Sequence, residues 1–216
     1  MSFGLQRKDS KFKNVNLQPC CNFFLSLPSF IQNPNHTMIN EMLRHNEEFV
    51  ANEAYKPYIT SKYPDKKIAI VTCMDTRLVQ LLPAALGIKN GDVKMIKNAG
   101  GVITDPWDST MRSLLVGIYE LGVNDIMIIG HTECGVQGMK AEEMLHLMEK
   151  RGIAPDTIAL VKRCGIDLDK WLTGFEDTPK AVKDSVDLVR RHPLMPADVT
   201  VSGYIMDSTT GKLTPL

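Results

Sequence analysis

The run Ile68–Arg77, IAIVTCMDTR, constrains this chain more than any other stretch. Ile68, Ala69, Ile70, Val71 and Thr72 are apolar or β-branched in unbroken succession and read as a short buried strand. Cys73 closes that strand, and Asp75 and Arg77 follow at two-residue steps. A thiol, a carboxylate and a guanidinium thus stand just past the carboxyl end of a strand. Ligands bind there in open α/β sheets. A second apolar strand, DIMIIG from Asp125 to Gly130, runs into His131 and Cys134.

The elements between and around these two strands set the fold class. Met42, His45 and Phe49 recur at helical spacing within Met38–Asn52, and Tyr55–Lys67 reads as a connector. Leu78–Leu86 reads as a short helix stopped by Gly87, and Asn90-Gly91 as a turn. Val93–Ile96 is a strand running into Asn98, Ala99, Gly100 and Gly101. Asp105 and Pro106 fit the cap and first position of a helix that buries Met111, Leu114, Leu115, Ile118 and Leu121 and ends at Gly122. Helices are expected over Gly135–Arg151 and Pro155–Val161, and from Thr178-Pro179 onward with Val182, Val186 and Val189 inward. Val199–Ile205 is a fourth strand, and Lys212–Leu216 can add an edge strand after the Asp207–Gly211 turn. Strands alternating with helices predict an α/β fold. It has a mostly parallel central sheet of four strands plus the edge strand, with helices on both faces.

Composition narrows the partners. With 25 basic and 25 acidic side chains in 216 residues the net charge is zero, so no nucleic-acid partner is expected. No apolar run approaches the roughly 18 residues of a membrane span. The five cysteines, two of them adjacent at Cys20 and Cys21, do not form a secreted disulfide pattern and predict a cytoplasmic location. Residues 1–37 differ from the rest. Arg7, Lys8, Lys11 and Lys13 precede CCNFFLSLPSFI, which Asn22, Ser26 and Pro28 interrupt. That is the charge order of a signal peptide without its continuous apolar run, and the segment reads as a loosely ordered extension. Residues 38–216 form the expected domain, with Met38 a candidate native start.

Cys73, His131 and Cys134 offer a Cys2His donor set, which favours zinc over magnesium or calcium. Three protein ligands leave a fourth position open, as in catalytic zinc sites. Asp75 can fill it. Alternatively Asp75 pairs with Arg77 and accepts a hydrogen bond from a zinc-bound water. A helix beginning near Cys134 would help hold that residue as a thiolate. Taken singly, each element also has a plain reading. Cys73 alone suits a buried strand, and Asp75 with Arg77 suits an ordinary ion pair. Cys164 fits no ligand spacing.

CxDxR followed by HxxC resembles the β-class carbonic anhydrases. The resemblance runs from about Met38 to Leu216. It takes in CMDTR (Cys73–Arg77), KNAGG (Lys97–Gly101), GHTECG (Gly130–Gly135) and HPLMPADVTVSGYIMDSTTGKL (His192–Leu213). It implies a Zn²⁺ enzyme that interconverts CO2 and bicarbonate through a zinc-bound hydroxide. Cys73, His131 and Cys134 would be the ligands, and Asp75 with Arg77 the catalytic pair. It also implies a homodimer or higher homo-oligomer. Because glycine permits close approach, backbone amides of the Gly100-Gly101 loop can orient the product; the plain reading of the same loop is a turn. Ile70 stands where some bacterial members have the Trp of a regulatory bicarbonate pocket, and Pro64 and Val116 where plant-type members have Gln and Tyr. This looks closer to the short archaeal and Gram-positive branch, which lies near enzymes that hydrolyse carbon disulfide or carbonyl sulfide. The rival readings are hydrolysis of CS2 or COS at the same site, a non-enzymatic zinc protein whose metal only holds the fold or the dimer, and a thiol redox or sensor protein using Cys73 and Cys134, which the absence of CxxC disfavours.

Overall fold

The computed structural model describes residues 37–216; apart from Thr37, the expected N-terminal extension lies outside them. The described chain divides into two compact units. One ends at Lys140 and resumes over Leu172–Leu216, and the other holds Ala141–Trp171.

The first unit is built on a five-stranded sheet. Its strands are β1 (Ile68–Cys73), β2 (Val93–Asn98), β3 (Asp125–His131), β4 (Thr200–Met206) and β5 (Leu213–Pro215), in spatial order β2-β1-β3-β4-β5. All neighbours run parallel except β5, which pairs antiparallel to β4. The α/β class and the edge strand expected near the C-terminus are both present. In chain order the helices are α1 (Thr37–Ala51), α2 (Leu78–Ala85), α3 (Ser109–Leu121), α4 (Ala141–Lys150), α5 (Pro155–Arg163), α6 (Leu168–Leu172) and α7 (Thr178–Arg190).

Two apolar clusters cover the sheet. Ala69 and Val71 of β1 with Ile126 and Ile128 of β3 pack with Met111 and Leu114 of α3 and Val182, Val186 and Val189 of α7. Ile70 and Ile129 pack with Leu78 and Leu82 of α2 and with Met206. Alternation along β1 and β3 sends successive side chains to opposite faces, which is why both strands are apolar throughout. Each fully buried Ile, Leu or Met contributes roughly 1.5–3 kcal/mol. Thr72 fits this interior because its Oγ1 donates to the Ile129 carbonyl at 2.9 Å, tying β1 to β3.

Several boundaries differ from expectation, among them the end of α5, which runs to Arg163 rather than Val161. The cap of α3 is Asp108, whose carboxylate accepts from Met111 N at 2.7 Å; Asp105 instead accepts from Trp107 N in the preceding turn. Gly135 does not begin a helix. Residues 135–140 form turns in which Gly138, at φ +75°, donates its N–H to the Phe175 carbonyl, and α4 starts at Ala141. β2 runs two residues further than expected, so Asn98 lies in register with Cys73. The expected first helix is present as α1, with Met38, Met42 and Leu43 more than half exposed.

Candidate metal centre

The chain leaves β1 toward β2 on one side and returns to β3 on the other, so its winding reverses between β1 and β3. The crevice at the carboxyl ends of two such strands is where α/β sheets bind ligands. Thr72 lies opposite Ile129 in the β1–β3 pairing. Continued one step, that register carries Cys73, the last residue of β1, to Gly130, so His131, the last residue of β3, stands one residue further along. Cys134 arrives one short turn later.

The structure brings these three residues together. Cys73 and Cys134 are 5% exposed and His131 is fully buried. The two Sγ atoms lie 3.9 Å apart. Among the described residues, one donor atom from each of the three lies within 4.8 Å of the others, close enough to share one metal ion. The histidine tests the fit. Its Nδ1 lies 2.8 Å from the Thr132 carbonyl oxygen, which can accept but not donate, so Nδ1 carries the proton. Nε2 then presents a lone pair, buried and, among the described residues, without a hydrogen-bond partner. An orphaned buried acceptor beside two thiols is costly unless a cation takes the lone pair. The donor set fits a metal.

Burial pushes the Cys134 thiol up, and the adjacent Cys73 adds to that, while the backbone amides of Val136 and Gln137 pull against it. These amides belong to turns. The helix amino end expected beside Cys134 is absent because α4 begins seven residues later. A bound cation reverses the balance, since a coordinating thiol is deprotonated outright.

Asp75 and Arg77 stand at the rim. Arg77 donates from Nε to Asp75 Oδ1 at 3.1 Å and from Nη2 to Oδ2 at 2.9 Å, and its backbone N–H donates to Oδ1 at 2.8 Å. These hydrogen bonds from Arg77 hold the Asp75 carboxyl down at about 2. Arg77 is raised in turn, chiefly by its hydrogen bond with Asp75. Asp75 Oδ2 lies 3.9 Å from His131 Nε2, too far for a hydrogen bond but within the rim of the donor cluster. The two-point fork keeps both carboxylate oxygens engaged on the side of the guanidinium.

Gly100 and Gly101 end β2 in a short 3-10 turn. Both have positive φ, +90° and +66°. A Cβ on Gly101 would lie 2.6 Å from Cys73 N and 2.9 Å from Thr72 C, so the loop rests directly on the backbone that carries Cys73. A Cβ on Gly100 would meet Phe175 Cε1 at 2.9 Å. Val136 and Phe175 pack against the cluster containing Cys73 and Cys134, giving the centre an apolar flank. Ile70 is buried in β1, Pro64 is buried ahead of it, and Val116 is 45% exposed on α3. Cys164 follows α5 as its C-terminal cap residue.

Sequence reasoning missed Glu133. Arg77 donates from Nη1 to Glu133 Oε2 at 3.2 Å and from Nη2 to the Glu133 carbonyl at 3.0 Å. A carboxylate between two prospective ligands was the available signal, but nothing in the sequence says that Arg77 faces it.

A family model described as carbonic anhydrase matches residues 68–213. This chain belongs to the β-class carbonic anhydrase family. It is 46% identical over 175 residues to the protein named "Putative carbonic anhydrase YvdA" of Bacillus subtilis, covering 81% of this chain and 89% of that one. It is 33% identical over 160 residues to a carbon disulfide hydrolase of Acidithiobacillus thiooxidans, covering 70% and 77% respectively. The crystal structure of the β-carbonic anhydrase isoform TvaCA1 of Trichomonas vaginalis superposes with a TM-score of 0.75 at 38% identity, covering 83% of this chain and 97% of that one. The part matched to the carbonic anhydrase family holds every residue of the centre described above, while α1 precedes it.

Proposed function

We propose that the chain catalyses the reversible hydration of CO2 to bicarbonate and a proton, with Zn²⁺ held by Cys73, His131 and Cys134. The observation that carries this reading is the buried, unpartnered Nε2 of His131 beside two sulfurs 3.9 Å apart. Zinc in such a site is a Lewis acid that makes water nucleophilic near neutral pH.

The chain's own residues supply the rest. Asp75, held down at about 2, is ionised throughout the neutral range. So readily ionised, it is a weak general base, since an effective one has a pKa near the working pH. Its role is to accept a hydrogen bond and orient the attacking oxygen. Arg77 holds Asp75 in that pose and keeps it off the metal. Val136 and Phe175 offer an apolar flank to an apolar, linear substrate. Gly101 rests on the Cys73 backbone, and the proposed role of the Gly100-Gly101 amides is to receive the product oxygens.

The assembly proposed is a homodimer or higher homo-oligomer, which the exposed apolar side chains Met38, Met42 and Leu43 of α1 support. Among the described residues no helix is long and apolar enough to cross a membrane. The cytoplasm is the proposed location because the centre needs Cys73 and Cys134 as free thiols.

The 33% identity to a carbon disulfide hydrolase favours one second reading, hydrolysis of CS2 or COS at this same centre. Stopped-flow assays with each gas across about pH 6.5–9, alongside zinc content, decide between them. Hydration of CO2 by protein carrying one zinc per chain supports the proposal. One zinc per chain without CO2 hydration at any pH overturns it, and turnover of CS2 or COS then identifies the alternative.

A further inference from the structure

Arg77 is held at both edges. One edge grips Asp75 through Nε and Nη2. The other meets Glu133 twice, Nη1 at the carboxylate (3.2 Å) and Nη2 at the carbonyl (3.0 Å). Glu133 sits between His131 and Cys134 with φ +54°, the left-handed region that a residue bearing a Cβ enters at a cost. That conformation accompanies a carbonyl and a carboxylate of one residue meeting one guanidinium. The Glu133 side chain is 79% exposed, and an exposed ion pair by itself contributes little to stability. Fold stability therefore leaves this arrangement unexplained. Arg77 is 40% exposed on a long, rotatable stem, and an arginine so placed keeps one orientation when its fork is fixed on more than one side.

We propose that Glu133 is a positioning residue. Its carboxylate and carbonyl fix the outer edge of Arg77, and Arg77 in turn presents the Asp75 carboxylate beside Cys73, His131 and Cys134. Among the described residues the hydrogen bonds of Glu133 at this centre go to Arg77 rather than to Asp75 or the metal donors, so it acts through the guanidinium. The inference rests on the proposed CO2 hydration for its kinetic consequence, whereas its structural consequence can be read without any activity.

The test uses the zinc-loaded full chain and the variants Glu133→Gln, Glu133→Ala and Glu133→Gly. The first readout is solvent exchange at the Arg77 Nε–H, followed by NMR and assigned by its loss in Arg77→Lys. Exchange should quicken about tenfold in the Ala and Gly variants and stay within about threefold of wild type in Gln, which keeps an acceptor oxygen. The Gly variant separates the side-chain contact from backbone strain, since glycine takes positive φ freely. The second readout is kinetic. In the Ala and Gly variants kcat should fall roughly three- to tenfold with KM within about twofold. In an Arg77→Lys background Glu133→Ala should add less than about twofold, because the two residues act as one unit. Unchanged Nε–H exchange in both Ala and Gly overturns the proposal. So does a full additional loss on the Arg77→Lys background. A wild-type chain that holds zinc but does not hydrate CO2 defeats the proposed activity alone, and the exchange measurement still decides the role of Glu133.

Discussion

The carbonyl oxygen of Thr132 accepts a hydrogen bond from Nδ1 of His131, its neighbour in the chain, at 2.8 Å. The backbone of the loop itself therefore selects the histidine tautomer and turns the Nε2 lone pair toward Cys73 and Cys134. Metal-binding histidines commonly have the second ring nitrogen fixed in this way.

Cys73→Ser should strip the centre of metal. Zinc content is expected to drop from one per chain toward none after dialysis, with CO2 hydration lost alongside. Chelation of the wild-type protein should lower its melting temperature as well. A ligand at a hundred times its Kd stabilises by about 2.7 kcal/mol, which for a chain of this size is roughly 5–10 °C. Full zinc retention in Cys73→Ser would remove that cysteine from the ligand set.

Asp75→Asn separates orientation from coordination. The amide cannot accept as a carboxylate does and no longer forks with Arg77. The kcat for CO2 hydration should fall by about a hundredfold or more while zinc content holds. Loss of zinc in this variant would instead mark Asp75 as a ligand.

Gly101→Ala should be far costlier than Gly122→Ala. Both glycines have positive φ, but a Cβ at Gly122 meets open space, whereas one at Gly101 collides with the backbone of Thr72 and Cys73. Denaturant melts are expected to give about 1 kcal/mol for Gly122→Ala, the conformational part alone. Gly101→Ala should lose roughly 2–4 kcal/mol, with weakened zinc binding besides. Equal losses would show that the Gly101 loop does not press on β1.

Asp207 organises the turn between β4 and β5. Its Oδ1 accepts from the N–H groups of Thr210 (2.7 Å) and Thr209 (3.0 Å) and from the Thr210 hydroxyl (3.0 Å). These bonds, the Thr210 amide first, lower its pKa. A carboxyl whose folded pKa lies below its unfolded value stabilises above the unfolded value and loses that contribution as pH falls through the folded one. Asp207→Ala should therefore melt below wild type at pH 7, and the gap should close as pH drops below about 4. A gap of the same size at every pH from 7 downward would refute the ionic origin.

Much of this site was legible from particular residues. The apolar runs into Cys73 and into His131 announced two buried strands with chemistry at their ends, and parallel pairing of β1 with β3 joined them. Gly122 stopped α3 as expected, in the left-handed conformation of a helix C-terminus. Asp105 misled because two aspartates compete for one cap, and Asp108 lies the right three residues before the Met111 amide. Residues 135–140 misled because apolar spacing suits a helix there, while Gly138 answers to a long-range bond with Phe175 that no local pattern announces. Glu133 was invisible for the same reason, since its partner lies 56 positions earlier.

Cys73 and Cys134 stand 61 positions apart, and the first complete set of metal donors appears once β1 has found β3. A long crossover through β2 and α3 must be traversed before that pairing forms, and contacts so distant in sequence form slowly. Of the three donors, only His131 and Cys134 are close enough in sequence to meet one ion together in the unfolded chain. Loading of the proposed metal at full affinity would thus follow assembly of the sheet centre, and metal uptake during refolding would serve as a clock for β1–β3 closure.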